Sequence, residues 1–397
     1  DKYVTDDGSG RLYEGKSILK QSFFLNAMVD DFKWPQVWTT DLAVDTKLPW
    51  DVLGTFEFLY GKDLNAIYLR NADLVAPVGD LPDGRPFYGG GILNPFVVVN
   101  GDTIPHAGGG AYIIDNTSEG YNFNFTVQLR KNFDFGLNTS LAYTFSEAKN
   151  NMKSTEIAFE LWQQTPVQGN PNKPELSFSE FGHRHRIVGG ANYSHRWSNS
   201  LATHLGLFLE IAEGNRFAGA GGNRYSFTYS GDVNGDGSPS NNDLIYIPSD
   251  QSEINLADIL DKDGNVVTTA AAQWTALNAF IEQDDYLKEH RGEIAERFGA
   301  VNPWYSNLDL RIMQDIGVPV RGNLQISLDI LNVANLLNSN WGVRKVATVA
   351  ATSPLKLVEF NDAGAPVFNF TGPAETYIDD LGPFSRWQIQ LGLRYYF

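Results

Sequence analysis

The chain has 397 residues, a formal net charge of -17, no cysteine and 13% aromatic residues. The absence of cysteine excludes disulfide scaffolds and thiolate zinc sites. The acidity argues against a nucleic-acid partner, because the chain has no basic patch to displace counterions from phosphates. No run approaches the ~18 consecutive apolar residues that a membrane helix needs, so a helical membrane protein is excluded, whereas a β-barrel stays possible.

The chain begins at Asp1, with neither an initiator methionine nor a signal peptide. We therefore expect a mature or partial chain. Residues 1–35 are predicted to be the remnant of an extracellular loop, in which residues 18–29 form a short helix or strand.

Alternation of polar and apolar residues next predicts four hairpins of long strands joined by very short turns. The predicted strand pairs are 38–48 with 52–60, 121–133 with 137–145, 187–193 with 201–209, and 308–316 with 324–330. The predicted turns lie at residues 49–50, 134–136, 197–199 and 317–319.

The final strand, residues 386–397, has one apolar face and ends on an aromatic residue. Its apolar face consists of Trp387, Ile389, Leu391, Leu393, Tyr395 and Phe397. In a soluble sandwich this would be an edge or core strand. An alternating strand that ends on an aromatic is also typical of the last strand of a bacterial outer-membrane barrel, where lipid replaces the core. We interpret these residues as a membrane-assembly signature.

Four long polar segments lie between the hairpins, at residues 61–119, 149–181, 214–301 and 334–383. Short turns at one end and long loops at the other are typical of outer-membrane barrels, and a soluble domain seldom has several structureless connections of this length. If Phe397 is periplasmic, the long segments are extracellular. The face opposite the apolar one predicts a polar lumen, lined by Asn122, Gln128, Arg130, Asn138, His204, Glu210, Gln325, Asp329, Gln388 and Arg394.

The pattern therefore predicts an all-β fold, a transmembrane antiparallel β-barrel. About nine strands are recognisable, and bacterial barrels close with even numbers. We expect residues 36–397 to form the C-terminal part of the barrel, the remaining strands coming from outside this sequence.

The strongest local motif is a candidate calcium loop. Oxygen donors at positions one, three, five, seven, nine and twelve are Asp232, Asn234, Asp236, Ser238, Ser240 and Asp243, with Gly237 at position six. This spacing fits a calcium loop, although Asp243 stands where the usual loop has a bidentate glutamate. The alternative is a turn rich in Asx and glycine that needs no metal. A bound ion would be structural and would rigidify the loop.

Other candidate sites are weaker. The chain contains four neighbouring histidines, His183, His185, His195 and His204. Two imidazoles two residues apart on a strand can chelate a metal, but a barrel rim also favours histidine beside arginine. Residues 261–265 predict a hairpin turn rather than a second metal loop. No arrangement of residues supports nucleophilic, metal-assisted or paired-carboxylate catalysis, so we expect no enzyme activity.

Two features of the loops could serve binding. Residues 272–298 have helical spacing, which suits a lid or partner surface or a helix that packs its own loop. Aromatic residues that could stack on sugars or peptides, or could instead form a girdle or the core of a loop, are Tyr88, Phe96, Tyr112, Trp162 and Trp341.

Further motifs are spread over most of the chain. They are FKWPQVWTTDLAVD at 32–45 with LPW at 48–50, LNAIY at 64–68, FGHRHRI at 181–187, DVNGDG at 232–237 with NDLIYIP at 242–248, HRG at 290–292, and NVANLLNSNW at 332–341. As a set they resemble the Oar-like TonB-dependent receptors of Bacteroidota and related bacteria. The resemblance implies a plug-filled barrel of about 22 strands, a TonB partner in the inner membrane, and uptake of a large or scarce ligand. The plug, the TonB-contacting segment and the carboxypeptidase-regulatory-like domain have no match within these residues.

Two functions from different classes follow. The first is a TonB-dependent outer-membrane transporter for a peptide, glycan or metal chelate, which contacts outer-membrane lipid, the TonB complex and a surface lipoprotein or protein partner. The second is a structural or adhesion barrel whose loops bind partner proteins without transport. A soluble, secreted β-rich domain is a third reading, which the lipid-type alternation and the loop asymmetry contradict. Both barrel hypotheses place the protein in the outer membrane of a Gram-negative bacterium.

Overall fold

The computed structural model describes residues 23–89, 96–99, 102–105, 108–152, 157–216, 226–238, 241–318 and 322–397. The strands up to residue 212 are β1 (Phe23–Met28), β2 (Gln36–Leu48), β3 (Val52–Asn71), β4 (Gly79–Asp80), β5 (Pro86–Phe87), β6 (Phe96–Val99), β7 (Asp102–Pro105), β8 (Gly108–Thr117), β9 (Tyr121–Asn132), β10 (Leu137–Asn150), β11 (Ser177–Phe178), β12 (His185–Ser198) and β13 (Leu201–Ala212). The later strands are β14 (Tyr246–Ile247), β15 (Asn255–Leu256), β16 (Ile259–Leu260), β17 (Val266–Thr268), β18 (Glu293–Ile294), β19 (Tyr305–Val318), β20 (Gly322–Leu331), β21 (Lys345–Ala347), β22 (Leu355–Phe360), β23 (Pro366–Phe370), β24 (Tyr377–Asp379) and β25 (Gln388–Tyr396). The α-helices are α1 (Ala158–Gln164), α2 (Ala270–Gln283), α3 (Asp285–Glu289), α4 (Val333–Leu337) and α5 (Val349–Thr352).

A single 12-stranded sheet dominates the fold. Its long strands form an antiparallel meander in the order β2, β3, β9, β10, β12, β13, β19, β20 and β25. All four predicted hairpins form, and the final strand pairs with β20, so these predictions are confirmed.

The strands β8 and β9 act as one interrupted strand along the same side of β3. Thr117 pairs with Ala66 and Tyr121 pairs with Lys62, so the register continues across residues 118–120. The sheet therefore extends well into the predicted loop 61–119, and that part of the prediction was wrong. The period of two is hidden there by the glycines and polar residues of the segment.

The turns at the other end of the sheet are tight. Between β2 and β3, Trp50 and Asp51 both have positive φ, at 62° and 58°. Between β9 and β10, Gly136 has φ 94°, and a Cβ at this position would lie 2.6 Å from the carbonyl oxygen of Ser194. Only glycine fits this turn. The turn between β12 and β13 is residues 199–200 rather than 197–199, because β12 continues to Ser198.

The strand register separates an apolar face from a polar face. Leu205, Ile312, Leu328 and Leu391 face each other across four neighbouring strands and continue an apolar row across the sheet. The opposite face carries paired polar groups, namely Arg186 with Glu210 at 2.8 Å, Arg311 with Asp329 at 2.7 Å, His204 with Asp315 at 3.0 Å, and Gln325 with Asp315 at 2.8 Å. Because apolar side chains favour hydrocarbon and paired charges favour a wet interior, this division suits a membrane barrel wall.

The three later loop predictions need correction. Residues 149–181, 214–301 and 334–383 contain helices and short strand pairs, so they are folded rather than structureless. The predicted helical segment 272–298 is divided: α2 ends at Gln283, α3 ends at Glu289, and residues 293–294 form β18. The carboxylate of Asp284 caps α3 by accepting from the backbone nitrogen of Leu287 at 3.0 Å, and this capping starts a new helix instead of continuing α2. In the part of the chain that the structure describes, no helix has the length and apolar character needed to cross a bilayer.

A charged side chain on the apolar face should lower the free energy of unfolding far more than one on the polar face. Leu391 and Gln390 are neighbours on β25 and point to opposite faces. We expect Leu391→Arg to destabilise the protein in lipid vesicles by about 2–4 kcal/mol, while Gln390→Arg, which lies opposite Asp329, stays close to the parent. Urea unfolding in vesicles of the full-length protein, followed by heat-modifiable gel mobility, measures both. Equal effects of the two substitutions would contradict the assignment of the faces.

Candidate functional site

The four connections at one end of the sheet pack together into a structure that we call the loop layer. It consists of the described parts of residues 72–107, 151–184, 213–304 and 332–387. Three of the connections share an apolar core, in which Leu81, Phe227, Phe280, Leu287 and Leu355 are buried. The core thus draws on the first, third and fourth connections.

The described residues 226–238 and 241–247, which we call the central segment, lie between the other three connections. From the first connection, the backbone nitrogen of Tyr88 donates to the carbonyl of Asn234 at 2.7 Å. From the second, Val167 donates to the carbonyl of Asn242 at 2.8 Å and accepts from Leu244 at 3.0 Å. The central segment is therefore the part of the loop layer that links connections distant in sequence.

The fourth connection pairs with the other side of the central segment. Ser230 donates to the carbonyl of Leu355 at 2.8 Å, and Leu357 donates to the carbonyl of Ser230 at 2.9 Å. Thr228 also donates to the carbonyl of Thr352 at 2.8 Å. These backbone bonds satisfy buried polar groups that would otherwise destabilise a folded loop.

The loop between Asp232 and Asp243 is closed by carboxylates that accept from its own backbone. The two carboxylate oxygens of Asp232 accept from the nitrogens of Asp236 at 3.1 Å and Gly237 at 2.9 Å. The Oδ2 atom of Asp243 accepts from Val233 at 2.8 Å and Asn234 at 3.1 Å. The positive φ of Gly237, 81°, completes the reversal.

A buried arginine from the first connection reaches this loop. Arg85 is 2% exposed; its Nε donates to Asp83 at 2.7 Å and its Nη2 donates to the carbonyl of Leu244 at 2.8 Å. Its Nη1 lies 3.9 Å from the Oδ1 atom of Asp243, and the guanidinium lies over the ring of Tyr229 at 5.3 Å. Arg85 is thus the cation that faces the buried carboxylate of Asp243.

The carboxylates of this loop are removed from water. Burial raises the pKa of Asp243 to about 7, against the opposing effect of Arg85. Burial, together with the charge of Asp232, raises the pKa of Asp236 to about 6. Burial also raises the pKa of Asp232. Burial is thus the main reason why the pKa values of these three carboxyl groups rise.

The structure brings together most of the sequence-predicted calcium ligands. Asp232, Asn234, Asp236 and Asp243 belong to the hydrogen-bonded loop just described, whereas Ser240 lies outside the described residues. The hydroxyl of Ser238 donates to the carbonyl of Gln163 at 2.9 Å. Within the described ranges, no three His, Cys, Asp or Glu side chains are grouped closely enough to hold a metal ion. The calcium site stays a prediction.

Sequence reasoning missed Arg85 and Asn242. Arg85 lies far from the loop in sequence, and no local pattern signals that it reaches the central segment. Asn242 stands inside the motif, but it occupies a position that the usual calcium spacing assigns to no ligand. Their roles depend on tertiary packing alone.

The histidines take separate partners. His183 contacts the carbonyl oxygen of Glu213 at 2.8 Å, and His185 contacts the hydroxyl of Tyr143 at 2.8 Å. His204 bonds to Ser194 at 2.8 Å, and the ring of His195 packs edge-on against Trp197 at 4.3 Å. These contacts favour the interpretation of the histidines as rim and interior side chains.

Three of the aromatic residues considered for ligand stacking are buried. Tyr88, Tyr112 and Trp162 are 3%, 1% and 2% exposed, so of the two interpretations the structure contradicts surface stacking and confirms packing in a core. Tyr112 of β8 packs there with Trp162 of the second connection. Trp341 is exposed at 56%, and the side chain of Phe96 lies outside the described part. The helical segment likewise packs its own loop, since Leu277, Phe280 and Leu287 are among its buried residues.

One polar cavity opens within the loop layer. It has a volume of about 320 Å³, and its lining includes Gln168, Glu175, Glu293, Glu296 and Arg297. Arg297 is anchored at its edge, donating to the carbonyl of Asn151 at 2.6 Å. The recess thus combines carboxylates with a fixed cation.

A family model described as an outer membrane beta barrel domain matches residues 12–352. The chain belongs to this family. Its two-faced antiparallel sheet is consistent with that membership, and the protein is localised to the outer membrane. No curated protein matches the sequence.

Among solved structures, the chain is similar to the outer membrane transporter YddB from Escherichia coli, with 10% sequence identity and a TM-score of 0.42. The match covers 94% of this chain and 34% of that chain. This chain thus spans about a third of the length of that transporter.

Removal of the buried cation should loosen the loop layer. We expect Arg85→Met to destabilise the central segment by about 3–5 kcal/mol, because Asp243 then loses its only facing cation among the described residues. The control is Arg70→Met, which removes a pair to Asp115 whose side chains are 42% and 32% exposed and should cost less than about 1 kcal/mol.

Hydrogen exchange of the full-length protein, read on peptides from residues 226–247, measures the opening free energy in both variants. Equal exchange rates in the two variants would show that the buried arginine is not what holds the layer.

Proposed function

We propose that the chain is the C-terminal part of a TonB-dependent outer-membrane transporter that takes up a large or scarce ligand. The observation that carries the proposal is the polar inner face of the sheet, with ion pairs such as Arg186–Glu210 and Arg311–Asp329. A face of this kind needs water or a polar plug against it. The motifs that resemble Oar-like TonB-dependent receptors support the same reading.

In this proposal the sheet is part of the frame, and an N-terminal plug outside this sequence is the gate. The loop layer is extracellular and captures the ligand. Its cavity between Glu175, Glu293 and Arg297 offers acceptors and a cation side by side, which suits a polar ligand such as a peptide or a glycan better than an apolar one. The ligand would pass from the loop layer into the polar lumen.

The partners follow from the same arrangement. The apolar face contacts outer-membrane lipid, the N-terminal region contacts the TonB complex, and the outer surface of the loop layer receives a surface lipoprotein or another protein. We propose transport without enzyme activity.

The second candidate is a structural or adhesion barrel. It is favoured by the shared core of the loop layer, because loops that pack on each other present a fixed outer surface to a partner protein. This function requires neither a plug nor TonB.

Two measurements on the polypeptide extracted from outer membranes separate these functions. Peptide mapping by mass spectrometry should find a plug-like region and a TonB-binding segment upstream of Asp1. The purified full-length protein should then be retained by the immobilised periplasmic domain of TonB, and deletion of the TonB-binding segment should abolish retention. A mature protein without a plug that is not retained by TonB contradicts transport and supports the adhesion barrel.

A further inference from the structure

A cavity of about 460 Å³, which we call the apolar cavity, lies where strands β3 and β8 meet the second connection. Val37 and Ile67, which are 54% and 46% exposed, form its mouth. Leu69, Met152 and Leu161 are buried and form its floor. A recess of this volume with mainly apolar walls is typical of a small-molecule site.

Hydrogen bonds hold the rim of the apolar cavity in place. The backbone nitrogen of Lys33 donates to Oδ1 of Asn116 on β8 at 2.7 Å, and Nδ2 of Asn116 donates to the carbonyl of Lys33 at 2.8 Å. These two bonds fix the segment that brings Pro35 to the rim. On the floor, the backbone nitrogen of Leu69 donates to the sulfur of Met152 at 3.1 Å. The cavity is therefore preformed, which lowers the conformational cost of binding.

Asn151 lines this cavity and carries a buried oxygen atom without a donor. The side chain is 5% exposed, and its Oδ1 finds no partner in the part of the chain that the structure describes. Its Nδ2 donates to the carboxylate of Glu119 at 2.7 Å and to the carbonyl of Pro174 at 3.1 Å. Because both partners are acceptors, the orientation of the amide is fixed and the oxygen is the atom that lacks a partner. A buried acceptor of this kind requires a donor from elsewhere.

A carboxylate without a partner stands at the mouth of the cavity. Asp63 pairs with Val37 across β2 and β3, so the two side chains share the face that lines the cavity. Asp63 is half-buried, and no described residue donates a hydrogen bond to its carboxylate. The neighbouring cation Lys62 donates instead to the carbonyl of Gly120 at 3.3 Å. A half-buried carboxylate beside apolar walls is stabilised by a cation that brings its own donors.

We propose that the apolar cavity binds an organic ammonium ion with an apolar body, such as an aromatic amine. The ammonium group supplies three donors and a positive charge, which match the oxygen of Asn151 and the carboxylate of Asp63. The apolar body packs against Leu69 and Leu161 and is removed from water. A neutral molecule would leave Asp63 without a cation, and an anion would be repelled by it. This inference does not depend on transport.

Calorimetric titration of the full-length protein in phosphatidylcholine nanodiscs tests the proposal. The probes are tryptamine and its neutral counterpart tryptophol, which differ only in the ammonium group. The wild type should bind tryptamine more tightly by about tenfold or more, because only the amine forms a charge-assisted hydrogen bond. Asp63→Asn should abolish this preference and leave the affinity for tryptophol unchanged. The matched control, Asp41→Asn, lies on the same face of the hairpin but outside the lining and should keep the preference.

A second variant blocks the cavity if Asp63→Asn fails to fold. Ile67→Trp enlarges a side chain at the exposed mouth and should abolish binding of both compounds, whereas Leu64→Trp, on the opposite face of β3, should bind like the wild type. Equal affinities of the wild type for the two compounds, a preference that survives Asp63→Asn, or unchanged binding by Ile67→Trp overturns the proposal. No binding by the folded wild type at up to about 1 mM tryptamine also overturns it and would show that another part of the chain fills the cavity.

Discussion

The constraint on which the structure depends is that every strand in a bilayer must satisfy its backbone through its neighbours. Each pair of neighbouring long strands between β2 and β25 meets this constraint through its register. The register determines on which face of the sheet each side chain lies. Leu205, Ile312 and Leu391 lie in one lipid-facing row. Glu210 and Asp329 lie on the other face. A slip of one residue would turn every charge toward lipid, so pairing and polarity enforce each other.

The loop layer obeys a different constraint, because its strands are too short to satisfy one another. Its stability comes from an apolar core shared by three connections and from the central segment, whose backbone bonds reach Tyr88, Val167 and Leu355. The loop layer therefore behaves as a small domain assembled from distant pieces of the chain. A local change in the central segment would therefore alter contacts with all three of the other connections.

The sequence predicted the membrane sheet well because its signal is local. A period of two, a tight turn and a terminal aromatic strand all lie within a few residues of each other, so the hairpins and even their pairing follow from the pattern. The loop layer was predicted only as motifs. Tyr88 and Trp162 looked like surface aromatics because nothing nearby in sequence indicates their burial. Arg85 carried no signal, because its partner Leu244 comes from another connection.

The sheet and the loop layer contribute differently to the specificity of the protein. The sheet is a general solution to crossing the membrane, and its apolar face says nothing about a ligand. Specificity must reside in the polar inner face and the loop layer, where charges are buried and partners come from distant connections. There the geometry is most sensitive to charge balance, since carboxylates such as Asp236 and Asp243 contribute rigidity only when a cation compensates them.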